Sequence, residues 1–267
     1  MSEFADFAVE QLVPAARGVL LAKYEEHKSG RDIGVENKGD GSPASRADRE
    51  AEQVMRGLIE KKFPAHGIIG EEFGLKNPKA EYVWVLDPLD GTREFLAKEA
   101  GWGTLIALMH NGRPIVGIIH DALNNITWRG GDGKIADKKK AAPKKLAEAS
   151  VACTALSMFD SSPWKAGAKK MFEACRQPRP RLNCLGFAYV ADGTVDLAAE
   201  SSLKLHDIAA LLPVLWDAGA QCVTPDGGAY RDHVFNLANA EKESYTLVTG
   251  RDPALVKQAL AILGGQS

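Results

Sequence analysis

The chain has 267 residues, with 33 Lys and Arg against 35 Asp and Glu, a formal net charge of −2. That balance excludes the broad basic surface of a nucleic-acid binder, so any handling of phosphate must be local. Hydrophobic residues at 45% and charged residues at 25% exclude a disordered, fibrous or disulfide-scaffold chain, and the length fits one large domain or two small ones. Cys153, Cys175, Cys184 and Cys222 are scattered without CxxC pairing or a Cys/His cluster, which argues against a zinc site or a disulfide framework. The N-terminal segment MSEFADFAVEQL carries acids where a secretory signal would carry bases, and no apolar run approaches the roughly 20 residues that span a bilayer. A cytoplasmic location without membrane association is the expectation.

In chain order, Phe4, Phe7, Ala8, Leu12, Ala15, Ala16, Val19 and Leu20 fall at helical spacing and predict an amphipathic helix over 3–26. A second helix is predicted from Arg46 to Lys62, with Ser45 as its N-cap and Ala47, Ala51, Val54, Met55, Leu58 and Ile59 on one face. Strand-like segments follow at 68–69, 82–86, 104–109, 114–120 and 126–128, with Asn111-Gly112 as a hairpin signal between the third and fourth. Five lysines between Lys138 and Lys145 read as a solvated loop joining two halves, or alternatively as a basic patch. From Ser150 onward strands and helices alternate: strands near Val151, over 195–199 and over 245–248, and helices over 165–175, 186–191, 207–218 and 253–263. The pattern predicts an α/β half (146–267) packed beside a half made of a helix pair and a large sheet (1–145).

The most informative segment is WVLDPLDGTREF, residues 84–95. An apolar strand runs into Asp87 and Asp90, three residues apart at a turn, where both carboxylates can face one hard divalent cation such as Mg²⁺. The amides of Gly91 and Thr92 at a helix start would offer donors to an anion. The competing reading is an Asx turn in which the two acids cap their own backbone. Asp207, at the start of the apolar helix DIAALLPVLWDAG, reads by itself as an N-cap. Glu71 and Glu72 sit in a glycine-flanked turn, GEEFG.

GEEFG, WVLDPLDGTREF and LHDIAALLPVLWDAG, in that order, together with KGDGSPASRAD at residues 38–48, resemble the inositol monophosphatase superfamily of Mg²⁺-dependent, lithium-sensitive phosphatases. The resemblance covers roughly residues 36–222. It implies a layered αβαβα sandwich, with N-terminal helices and a mostly antiparallel sheet packed on a C-terminal α/β half. It also implies a phosphomonoesterase that uses two or three Mg²⁺ per active site and a homodimeric assembly. Position by position, Glu71, Asp87, Asp90, Asp207 and the Leu89 carbonyl match the metal ligands. Thr92 and Asp48 match the pair that orients and deprotonates the attacking water, with Glu71 also counted as catalytic, and the Gly91 and Thr92 amides match the phosphate cradle. Glu72 reads as structural or as a support behind the metal ligands.

WGTLIAL at 102–108, PIVGII at 114–119, ITWRGG at 126–131 and LNCLGFAYVADG at 182–193 resemble histidinol-phosphate phosphatases in particular. Glu200 and Asn183 then fall at substrate-binding positions, and a carboxylate at 200 would suit a cationic amine or accept hydroxyl hydrogen bonds. The implied substrate is a small-molecule phosphate monoester, histidinol phosphate first, which would place the enzyme in histidine biosynthesis. Inositol 1-phosphate, a 3′(2′),5′-bisphosphate nucleotide and an inactive, ligand-binding relative are the alternatives. His206, Asn183, His120-Asp121-Ala122 and Asp217-Ala218-Gly219-Ala220 depart from the usual pattern. His206 reads as a packing substitute for an aromatic residue, or else as a proton-transfer group.

Overall fold

The computed structural model describes residues 2–37, 39, 43–132 and 143–264. Lys38, Asp40, Gly41 and Ser42 of the upstream motif and Lys138 to Lys140 of the lysine run lie outside the described residues.

The predicted first helix is helical from Ser2 to Lys28 in three pieces: α-helix Ser2–Phe7, a π-helical turn Ala8–Leu12, and α-helix Val13–Lys28. Pro14 accounts for the interruption. It has no N–H for the Glu10 carbonyl and its ring presses on that carbonyl, so the preceding turn widens by a residue. Helix Arg46–Lys62 starts as expected at Ser45, whose hydroxyl accepts from the Ala47 amide.

The large sheet has six strands in the order Gly74–Lys76, Gly67–Gly70, Tyr82–Asp90, Gly103–His110, Arg113–Asp121 and Ile126–Gly130. All its pairings are antiparallel except that of Gly67–Gly70 with Tyr82–Asp90. Asn111 and Gly112, both at positive φ, close the anticipated hairpin. The small sheet has five strands in the order Gln177–Arg179, Ser150–Ala152, Leu197–Leu203, Tyr245–Gly250 and Gln221–Val223. Its strand expected over 195–199 begins at Leu197 and runs on to Leu203. Strands Gly74–Lys76, Gln177–Arg179 and Gln221–Val223, three residues each, were not foreseen.

Three apolar clusters stack these elements into five layers. The first buries Leu12, Leu20, Met55 and Ile59 of the N-terminal helices against Trp84, Leu86 and Ile106 of the large sheet. The central cluster joins the other face of that sheet, through Val85, Leu105 and Ala107, to helices Cys184–Asp192 and Leu205–Asp217 and on to the small sheet. The third covers the outer face of the small sheet with helices Lys165–Ala174 and Pro253–Leu263. The expected αβαβα sandwich is therefore present.

Helix Leu205–Asp217 lies unusually close to the large sheet. A Cβ on Gly117 would stand 2.1 Å from the Ala210 carbonyl oxygen, and one on Gly130 2.2 Å from that of Pro213. Two glycines thus set how deep this helix sits, and Asp217 at its end fixes the axis by accepting from the Gly131 amide at 2.8 Å.

Candidate active site

Strand Tyr82–Asp90 pairs regularly with Gly103–His110 up to Asp87, loses register, and pairs again at Asp90. The break falls on Pro88-Leu89, where proline has no N–H for the ladder, so the chain bulges. Thr104 Oγ1 donates to the stranded Pro88 carbonyl at 2.8 Å. Asp87 Oδ1 accepts the Leu89 amide at 3.0 Å, which is the Asx turn anticipated as the competing reading. The turn and the acid cluster coexist, because the bulge brings Asp87 and Asp90 round to one side. Asp90 does not cap its own backbone; its carboxylate accepts from the Cys184 amide at the start of helix Cys184–Asp192.

Two further acids are placed by helix starts. Asp48 is the third residue of helix Arg46–Lys62, and its Oδ2 accepts the Ser45 amide at 2.8 Å and the Ser45 hydroxyl at 2.7 Å. Its Oδ1 is left to accept Thr92 Oγ1 at 3.1 Å. Asp207 is likewise the third residue of helix Leu205–Asp217, and its Oδ2 accepts the Lys204 amide at 2.6 Å. Each acid spends one oxygen on its helix start and turns the other toward the site. Thr92 opens the short helix Thr92–Leu96, preceded by Gly91 at φ +92. A Cβ at that glycine would stand 2.7 Å from Asn183 Nδ2 and 3.0 Å from the Trp102 backbone, so no other residue fits. The Thr92 hydroxyl also lies 3.1 Å from the Leu89 carbonyl; its single hydrogen can serve Leu89 or Asp48 at one time, not both.

Carboxylate oxygens of Asp87, Asp90 and Asp207 lie within 4.8 Å of one another. Glu71 faces the same point. It leaves strand Gly67–Gly70 with its amide on the Leu86 carbonyl at 3.2 Å, and its charge and a hydrogen bond act on Asp87. Desolvation first, and then the charges of Glu71, Asp90 and Asp207, hold Asp87 well above the usual carboxylate range. Asp90 is pushed up to about 7 by desolvation and then by Asp207, and Asp207 is raised chiefly by desolvation. Asp48 is pushed up to about 6 by burial, against its Ser45 hydrogen bonds. Mutually repelling, hard oxygen donors with raised pKa values are a donor set that fits divalent cations of the Mg²⁺ type.

Glu72 pairs with Arg49, Nε to Oε2 3.6 Å, and its charge adds to that of Glu71 on Asp48. Sequence reasoning missed Glu52, which is fully buried behind the GEEFG turn and accepts the Glu72 and Phe73 amides at 2.8 and 3.2 Å. The available signal was Glu52-x-x-x-Arg56 breaking the apolar face between Ala51 and Met55.

Glu200 lies on strand Leu197–Leu203 just before a second break in register, with Ser202 at φ +61. It is buried, accepts the Thr154 amide at 3.1 Å, and is pushed up to about 8 mainly by burial. Asp90, Asp207, Asn183, Thr154 and Glu200 line one small cavity. Within it, Asn183 is held at φ +47, and its amide donates to Glu94 Oε2 at 3.0 Å and to the Gly101 carbonyl at 2.8 Å. His206 Nε2 lies 3.7 Å from Asp207 Oδ1. His120 is far less accessible: it is fully buried, bonded to Thr127 Oγ1 at 2.9 Å, and pushed down to about 4 by burial.

The sequence model of the Inositol monophosphatase family matches residues 1–252. The chain belongs to the inositol monophosphatase family. It is 34% identical over 263 residues to the chloroplastic bifunctional phosphatase IMPL2 of Arabidopsis thaliana, covering 96% of this chain and 74% of that protein. It is also 34% identical over 208 residues to the histidinol-phosphatase of Mycobacterium tuberculosis, covering 74% and 80%. Its fold superposes on an inositol monophosphatase from Zymomonas mobilis with a TM-score of 0.78 at 28% identity, covering 97% of both chains. As a member of this metal-dependent phosphatase family, the chain is a phosphoric monoester hydrolase acting on small-molecule phosphates. Among the described residues no helix is long and apolar enough to cross a membrane.

Proposed function

We propose that the protein is a Mg²⁺-dependent phosphomonoesterase whose first substrate is histidinol phosphate, converted to histidinol, acting in the cytoplasm as a homodimer. The observation that carries the proposal is the convergence of Asp87, Asp90 and Asp207 beside the hydrogen-bonded pair Asp48 and Thr92. In this reading Glu71, Asp87, Asp90, Asp207 and the Leu89 carbonyl hold two or three Mg²⁺, and Gly91 and Thr92 receive the phosphate. Residues 1–145 then supply most of the cation ligands, while 146–267 supply Asp207 and the specificity residues.

Bound at these acids, Mg²⁺ would supply positive charge to the phosphate and to the departing alcohol oxygen. The chain's own part is positioning and proton transfer. Were the Leu89 carbonyl to hold a cation, the Thr92 hydrogen would be left to Asp48 Oδ1, and the Thr92 lone pairs would be free to accept from a water aligned behind the phosphorus. As the water oxygen bonds to phosphorus and the ester P–O bond breaks, the water proton passes through Thr92 to Asp48. An Asp48 that titrates at about 6 is ionised at neutral pH and ready to take it. The departing alkoxide is protonated from solvent.

Glu200 supports the amine-bearing substrate. It is a buried carboxylate in the cavity shared with Asp90 and Asp207, and a substrate ammonium would draw its proton off and pair with it. Inositol 1-phosphate is the second reading. The neutral Asn183 amide, engaged with Glu94 and Gly101, favours it, since a single acid at this wall can also accept sugar-type hydroxyls. Phosphate release should be measured with Mg²⁺ on histidinol phosphate, inositol 1-phosphate, 3′-phosphoadenosine 5′-phosphate and fructose 1,6-bisphosphate. A kcat/KM highest on histidinol phosphate supports the first reading. Turnover that survives exhaustive chelation refutes the cation mechanism, and absence of turnover on all four with normal Mg²⁺ binding would mean a ligand-binding relative. Sedimentation at micromolar concentration tests the dimer.

A further inference from the structure

Helix Arg46–Lys62 carries three polar residues on the face it turns toward the site, each four positions after the last: Asp48, Glu52 and Arg56. At 1.5 Å rise per residue they form one row about 12 Å long. Asp48 belongs to the water-activating pair already described. The other two run away from it and end under the GEEFG turn.

Glu52 has no solvent exposure. Its Oε1 accepts Arg56 Nε at 2.6 Å and the Phe73 amide at 3.2 Å, and its Oε2 accepts the Glu72 amide at 2.8 Å. Arg56 spans the far side of the same turn. It donates to the Gly74 carbonyl at 2.5 Å, and its guanidinium lies over the Phe73 ring at 5.9 Å. The approach is tight enough that a Cβ on Gly70 would stand 1.9 Å from Glu52 Oε1, which explains the glycine that opens GEEFG. A buried carboxylate is costly unless its oxygens are satisfied. Here the partners that satisfy it are Arg56 and the two backbone amides directly after Glu71.

We propose that Glu52, braced by Arg56, is a positioning residue that sets Glu71 for cation binding. One rigid helix thereby fixes both the water-activating Asp48 and the cation-facing Glu71, so the two halves of the chemistry keep a constant separation. The assignment rests on the reading of Glu71 as a metal ligand. A plain structural plug for the turn would need only shape. A carboxylate that accepts both amides fixes the turn's direction as well, and direction is what a ligand at its first residue requires.

The test uses the full chain and the variants Glu52→Gln, Arg56→Gln and Met55→Ala, the last a truncation in the same helix of a side chain buried in the first apolar cluster. Glu52→Gln keeps the volume but sets an NH₂ group against one of the two amides. Calorimetric titration with Mg²⁺ should show affinity falling about 10- to 100-fold in Glu52→Gln, the range typical for removing support behind a metal ligand. Amide hydrogen exchange at Glu72 and Phe73 should accelerate in the same variant without metal. Met55→Ala should lower the melting temperature with Mg²⁺ affinity held within twofold. Should Glu52→Gln fail to fold, Arg56→Gln, at the wetter edge of the contact, is expected to weaken Mg²⁺ binding in the same direction by less. Wild-type Mg²⁺ affinity in Glu52→Gln, or an equal loss in Met55→Ala, overturns the positioning role while leaving the metal reading standing. Absence of Mg²⁺ binding by the wild-type protein overturns both, and unchanged exchange at residues 72 and 73 overturns the contact on which the role depends.

Discussion

Replacing Asp90 by Asn should make the metal-free protein more stable at pH 8 and the metal-loaded protein useless. Asp90 is held as the neutral acid up to about pH 7, where a solvated aspartate ionises near 3.8. An acid whose folded-state pKa is raised keeps its full stability below its unfolded pKa and loses it as pH rises through the folded one. The window here runs from about 4 to about 7, and at 1.36 kcal/mol per pH unit the loss by pH 8 is about 4 kcal/mol. Asparagine keeps the shape and can still accept the Cys184 amide, but it carries no charge to repel Asp87 and Asp207. Because the acids titrate together, removing one charge relieves part of that sum. The expected gain at pH 8 in chelator is about 1–4 kcal/mol, a rise in Tm of about 2–4 °C per kcal/mol for a chain of this size. Near pH 4, at the bottom of that window, the two proteins should melt within about a degree or two of each other. Adding Mg²⁺ reverses the order: the wild type gains about 2.7 kcal/mol at a hundredfold excess over Kd, while the variant gains little and loses turnover. Differential scanning calorimetry at the two pH values, with and without Mg²⁺, reads all of this. A variant that melts at or below wild type in chelator at pH 8, or a gap that does not change with pH, would refute the account of a strained acid cluster.

The same protonation couples activity to metal. At sub-saturating Mg²⁺ the rate should rise from pH 5.5 to 8, through the ionisation of Asp48 at about 6 and Asp90 at about 7. More Mg²⁺ should move the rise to lower pH, because binding displaces protons; an acid limb indifferent to Mg²⁺ in initial-rate profiles counts against it. Glu200→Gln should raise KM for histidinol phosphate about 10- to 100-fold, since hydrogen bonds to a charged partner contribute about 1.5–3 kcal/mol, with a smaller effect on inositol 1-phosphate. Equal losses on both substrates would remove the ammonium-pairing role. Gly117→Ala drives a methyl group to 2.1 Å from the Ala210 carbonyl. It should cost about 1–3 kcal/mol, visible as a lower Tm, and weaken Mg²⁺ binding by lifting Asp207. An unchanged Tm would mean that the helix is not seated as described.

Long periodic segments were legible in the sequence because burial on one face leaves a repeat. Both N-terminal helices and the strands around 82–86, 104–109 and 114–120 were found this way. Strands Gln177–Arg179 and Gln221–Val223 carry three residues each, too few for any period, and exist because a longer neighbour offers them a ladder. The π-turn at Ala8–Leu12 was hidden for a different reason, since its cause, Pro14, lies in the next turn of a helix whose apolar spacing is undisturbed. In the site, Asp87 and Asp90 were legible because a proline and two acids at the end of an apolar strand are hard to reconcile with a plain ladder. Glu52 was signalled only by Arg56 four residues on, a spacing equally at home on a solvated face; its other partners are a pair of amides twenty residues further along the chain. Asn183 posed a similar problem, as its partners Glu94 and Gly101 become neighbours only after folding.

Asp48 and Asp207 are each anchored to the residue that caps their own helix, Ser45 and Lys204. Each acid therefore takes its support from the residue three positions upstream. The segment arriving at Lys204 is the inner strand Leu197–Leu203 that carries Glu200, so the cap that holds Asp207 is tied to the wall of the substrate cavity. A change in the wall around Glu200 is therefore felt just past the strand's end, at Asp207, and the rim that chooses a substrate and the floor that holds the acids shift together.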